Sequence, residues 1–207
     1  MRADDKILHP PYVGRMQDPT DYLSKTGRTI VDLDPQAYRK LVPDGPGLTQ
    51  ARDILESMRP ADLIAGAVKD ADEASAMLAG LWLWHDYLDE SHRIAQQIET
   101  PTGSFWHAIM HRREGDFSNS KYWYARCTAH PALKVLAAQA GAVVHHLPAD
   151  KRILKIVMSG WNPNGLVDLV EDVHDKPDDP RHETAVRLQM LEWRVLFESC
   201  TRAAGGG

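Results

Sequence analysis

Leu81–His130 reads LWLWHDYLDESHRIAQQIETPTGSFWHAIMHRREGDFSNSKYWYARCTAH, and the spacing of residue types in and around this stretch decides the fold. From Glu73 onward, Met77, Leu81, Trp84, Leu88, Ser91, Ala95 and Ile98 recur at alternating spacings of four and three. That is the apolar seam of an amphipathic helix, predicted here over 73–98. Beside the seam, in the same rhythm, run Leu78, Trp82, His85, Asp89, His92 and Gln96. The helix is therefore expected to carry a dry face and, next to it, a ladder of imidazole, carboxylate, imidazole and amide.

Thr100–Ser104 reads as a turn, with Thr102 or Ser104 capping a second helix over 104–114. His107, His111 and Glu114 form its polar stripe, while Trp106, Ile109 and Met110 face the other way. Gly115 suits the end of that helix. Asp116 and Ser118 are fresh caps before a helix through 121–127, and Pro131 opens another to about Val144.

The same punctuation extends outward. Residues 151–158 read as a helical turn in preference to a short strand. Asn162-Pro163 and Asp179-Pro180 are each a cap followed by a first-turn proline. They open helices to about His174 and Arg202. Upstream, Thr49 is expected to cap a helix to about Met58, and Pro60 to open one over 60–69. Residues 1–48 hold Pro10, Pro11, Pro19, Pro35, Pro43 and Pro46, which deny this part long helices. A short helix starting at Pro35 is expected there, the rest lying extended on the body; RTIVDL as a short strand is the alternative. The fold class is all-α: a helical domain over 49–203, an extended proline-rich segment over 1–48, and a flexible tail over 204–207.

Composition narrows the function. The net charge of −5 disfavours a phosphate-tracking nucleic-acid binder, which would be basic. No apolar run approaches the ~18–20 residues of a membrane span, and MRADDKILHPPY lacks a signal peptide's apolar core. Cys127 and Cys200 then read as free thiols in a reducing, cytoplasmic compartment. The expected partner is a small-molecule ligand, with no nucleic acid and no membrane; a homo-oligomer stays open.

The two polar stripes are joined by a short turn and so face one another across a helical hairpin. Imidazoles at i, i+3 and i+4 reach one point in space, which makes His85, His92, His107 and His111 candidate ligands of zinc, iron or manganese. Without a metal, His92 beside Asp89 and His111 beside Glu114 are candidate acid–base pairs. Partly buried, hydrogen-bonded histidines are the structural alternative. His107 and His111 have zinc-protease spacing, but Ala108 stands where the general-base glutamate belongs. Asp89-x-x-His92 and Glu171-x-x-His174, with Glu114 and Glu198 or Glu192, sketch a carboxylate di-iron bundle. Arg112, Arg113, Asn119 and Lys121 beside Trp106, Tyr122 and Trp123, with Gln96, suggest a pocket for an anionic or polyhydroxylated ligand. Ion pairs of Arg112 and Arg113 with Asp86, Asp89, Glu90 or Asp116 are the bland reading of the same residues.

The run HDYLDESHRIAQQIETPTGSFWHAIMHRREGDFSNSKYW, with GWNPNGLVDLVEDV and LEWRVLFESC, resembles a family of bacterial hypothetical proteins of about this size. The resemblance covers most of residues 75–200. It implies one helical domain and assigns no catalytic residue. Taken together, the expectation is a small-molecule lyase, isomerase or hydrolase using histidine and carboxylate chemistry, metal-assisted or not. A non-catalytic module that binds a ligand or a partner helix is the alternative.

Overall fold

The computed structural model describes residues 23–34, 37–158 and 160–205. The helices are α1 (Lys25–Asp32), α2 (Thr49–Ser57), α3 (Ala71–Trp84), α4 (Leu88–Ala95) and α5 (Pro101–Glu114). They continue as α6 (Phe117–Tyr124), α7 (Ala132–Val144), α8 (Lys151–Val157), α9 (Pro163–Val173) and α10 (His182–Gly205). A single 3₁₀ turn, Pro60–Leu63, stands where a full helix is expected over 60–69. No strand forms among the described residues; Leu23 with Ile64 and Met158 with Gly160 make isolated bridges. The result is one helical domain with α3 at its centre, buried on almost every side against α4, α5 and α10.

Capping chemistry explains most helix starts. Asp70, Asp116, Asp150 and Asn162 each accept backbone N–H groups of the first turn. Thr100 does so for α5, with Pro101 at the first helical position, so that helix begins earlier than the Thr102 or Ser104 cap predicts. In the N-terminal part, α1 stands where the RTIVDL strand is the alternative, with Ser24 as its cap, and residues 1–22 of the expected extended segment lie outside the described residues. The helix expected to start at Pro35 falls partly outside the described residues, and residues 37–48 are not helical. At the other end, α10 runs into the expected tail. Ala204 is buried, and its carbonyl accepts the Lys69 N–H at 2.8 Å.

The expected helix over 73–98 is two helices. Asp86 sits in the left-handed region at φ 62°. Tyr87 N–H reaches back to Trp82 O (2.9 Å) and Asp86 N–H to Leu83 O (3.2 Å), the paired bonds of a Schellman stop. Glycine is the usual residue at such a position. Here an aspartate is held there by Arg113, which donates to Asp86 Oδ1 (2.6 Å), to Leu83 O (2.6 Å) and to Lys40 O (3.0 Å). The Arg113 guanidinium also lies over the Tyr38 ring at 4.1 Å. Arg113 thus ties the end of α3 to the loop before α2, and is fully buried.

Close approach in the core depends on Gly80. A Cβ there would stand 2.7 Å from the Trp106 ring, and Trp193 Nε1 donates to the Gly80 carbonyl at 2.8 Å. Trp193 in turn packs on Trp84, Trp106 and Phe197. Behind this cluster Arg112 and Glu192, both fully buried, meet at 2.6 Å. That contact is an ion pair lying off the line of a hydrogen bond. The bonded route runs through Tyr124, which accepts from Arg112 (2.5 Å) and donates to Glu192 (2.9 Å). Burial works against the charged form of Arg112, but the Glu192 carboxylate outweighs it and the guanidinium is held protonated.

Near the N-termini of α3, α5 and α7 lies a chain of hydrogen bonds. Ala132 N–H donates to His130 Nδ1 (3.1 Å), which fixes the ring proton on Nε2. Nε2–H then donates to Thr102 Oγ1 (3.1 Å), and that hydroxyl to Glu73 (2.6 Å). Burial pushes His130 down to about 4 from its ordinary 6.5. The unfolded chain therefore takes up a proton that the folded one refuses. The stability from keeping His130 neutral is complete above pH ~6.5 and is lost as the pH falls toward ~4, by up to ~3 kcal/mol. Urea unfolding of His130→Gln from pH 7 to 4.5 is expected to show a flatter pH slope than the parent. Equal slopes would mean that His130 titrates normally.

Candidate metal centre

α4 and α5 bring three imidazoles together. His107 and His111 stand one turn apart on α5, their rings stacked at 5.3 Å and 9°. His92, from α4, meets both edge-on, at 4.6 Å from His107 and 5.4 Å from His111. One ring nitrogen of each lies within 4.8 Å of the others, a cluster that can hold a metal ion. A tetrahedral zinc-like ion with bonds of ~2.1 Å needs nitrogens about 3.4 Å apart, so closure requires movement of about an ångström. His107 and His111 are buried and His92 is half-buried, so the cluster opens on the His92 side.

Each α5 imidazole is held by its neighbours. Gly115, at φ 86°, turns the chain so that α6 packs back along α5. Trp123 then lies flat on His107, at 4.1 Å and 4°. Ser120 locks the hairpin by donating to the Ala108 carbonyl (2.7 Å). His111 Nδ1 is 3.0 Å from Glu114 Oε2, a bond that puts the proton on Nδ1 and leaves the Nε2 lone pair free. Asn119 Nδ2 lies 3.1 Å from His111 Nε2 and 3.4 Å from Nδ1. An atom on the in-plane lone pair of Nε2 would be about 5 Å from Nδ1, so the amide covers the ring face and leaves that lone pair open. Burial, then the charges of His92 and His111, lower His107 to about 4. It is neutral at pH 7, the form a metal requires.

Several expected site residues lie elsewhere. His85 is buried, with Nε2 2.9 Å from Ile30 O, and is no part of the cluster: the break at Asp86 removes it from the register of His92. Asp89 and Gln96 are exposed on α4, and Asp89 makes no bond to His92. The His92–Asp89 acid–base pair therefore does not form, whereas His111–Glu114 does. Trp106 is wholly in the core. Arg112 and Arg113 are fully buried ion-pair residues of the core; of their suggested partners only Asp86 is right, for Arg113. Lys121 pairs with Asp168 (2.5 Å), tying α6 to α9. Tyr122 is exposed and holds Arg126, its hydroxyl accepting from Nη1 (2.7 Å).

The di-iron arrangement is not assembled. Glu192 is committed to Arg112, Asp89 faces outward, Glu171 lies beside Lys121, and His174 packs on Phe117. Sequence reasoning names Trp123 and Asn119 only as ligand contacts; their fit against His107 and His111 is legible in the matching four-residue spacings on the two arms of a hairpin. No protein-family model, curated protein or solved structure matches the chain. No helix among the described residues is long and apolar enough to cross a membrane.

Proposed function

We propose that the protein is a metal-dependent enzyme of small-molecule chemistry, with His92, His107 and His111 as the ligands of one divalent ion. The carrying observation is the convergence of three imidazole nitrogens within 4.8 Å. Three protein ligands leave a coordination position for water or substrate, the pattern of catalytic sites. All-imidazole ligation suits zinc first, with iron and manganese behind it. Glu114 orients His111 through its bond to Nδ1. Trp123 and Asn119 fix the ring planes. The half-buried His92 side is where a ligand enters, and hydrolysis or lyase chemistry on an anionic or sugar-like molecule is the reaction class.

Metal analysis of the purified chain tests this directly, followed by turnover assays on carboxylate and phosphate esters and on sugar derivatives. One ion per chain is expected, with turnover lost to a chelator and restored by the ion. A chain that binds no ion overturns the reading, and an ion bound without turnover makes the protein a binding module. Glu114→Ala is expected to weaken metal affinity ~10–100-fold, measured by chelator competition, while the fold is kept. An unchanged affinity would show that Glu114 does not act through His111.

A further inference from the structure

Of the cations in the central stretch, four are committed to carboxylates. Arg93 meets Glu90 at 3.4 Å, Arg112 meets Glu192, Arg113 meets Asp86, and Lys121 meets Asp168. Arg126 has no carboxylate partner among the described residues, yet it is held in place. Its Nη1 donates to Tyr122 Oη at 2.7 Å, and its guanidinium lies 5.2 Å from the Tyr122 ring centre and 5.5 Å from that of Trp123.

Its position just past α6 gives this a meaning. Asn119 and Trp123 stand one turn apart on α6, and Arg126 follows, exposed, in the turn just after its end. The first covers His111 and the second covers His107. The third lies against the ring of Trp123, the residue that covers His107. A planar fork of donors, already ordered and without a carboxylate partner, is suited to a carboxylate or phosphate oxygen pair.

We infer that Arg126 recognises the anionic group of the molecule handled at the histidine cluster, making its substrate class a small carboxylate or phosphate. This rests on the metal reading above. Trp123 touches both His107 and the guanidinium, so an anionic group held by Arg126 sits beside the cluster. Tyr122 and Trp123 order Arg126 before the ligand arrives, which lowers the entropy cost of binding.

The test is isothermal titration of the zinc-loaded full chain with inorganic phosphate and with acetate, at fixed ionic strength. The parent should bind at least one of them. Arg126→Ala should weaken that binding tenfold or more at unchanged zinc content, and Arg126→Lys should recover only part of it. Equal affinity in Arg126→Ala, or no binding by the parent, overturns the inference. Should the parent take up no zinc, the metal reading fails separately, and the same titrations on the metal-free chain decide: Arg126-dependent binding supports the anion site, and its absence overturns it.

Discussion

Replacing Glu192 with leucine is expected to destabilise the protein by about 3–5 kcal/mol, because it strands the Arg112 charge in a fully buried position. For a chain of this size that lowers the melting temperature by roughly 6–20 °C. The cost does not measure the attraction of the pair. Much of it is the desolvation of a guanidinium that no longer has a counter-charge, and Tyr124 loses its acceptor in the same step. The double variant Arg112→Met, Glu192→Leu should therefore regain most of the loss, since it leaves no buried charge behind. Denaturant unfolding of the three chains checks this. A single variant within about 1 kcal/mol of the parent would mean that water reaches Arg112 in solution.

The second large effect is on metal affinity. His107→Ala removes the middle member of the cluster and the surface on which Trp123 stacks. The expected loss exceeds the ~10–100-fold of an orienting residue such as Glu114, since a direct ligand is gone. Folding should survive. His107 is buried, but its ring packs on Trp123 and on the other two imidazoles, apart from the core Trp84, Trp106 and Trp193. Circular dichroism beside chelator competition separates the two effects. An unfolded variant would make the cluster structural, and an unchanged affinity would remove His107 from the ligand set.

Much of the fold was legible because its signals are local. Asn162-Pro163 and Asp116 announce their helices within a single turn. The His107, His111, Glu114 stripe lies on one uninterrupted helix, so its geometry follows from spacing alone. What failed depended on distant partners. The stop at Asp86 has no glycine to mark it and is held by Arg113, which also grips Lys40. Reading through that stop put His85 beside His92. Arg112 looked like a ligand contact because its counter-ion, Glu192, lies in the last helix, and no local pattern joins them. Helix α5 is buried nearly all round, so two adjacent arginines point into the core in different directions, which a one-sided amphipathic reading cannot anticipate.

X-ray absorption at the zinc edge reads the three-histidine site at the metal itself. The chain is stripped with chelator, dialysed against zinc and analysed for bound metal. One ion per chain is expected, with three imidazole nitrogens at ~2.0–2.1 Å and one water oxygen beside them. No retained zinc, or a shell of oxygen atoms that is unchanged in His107→Ala, would contradict it.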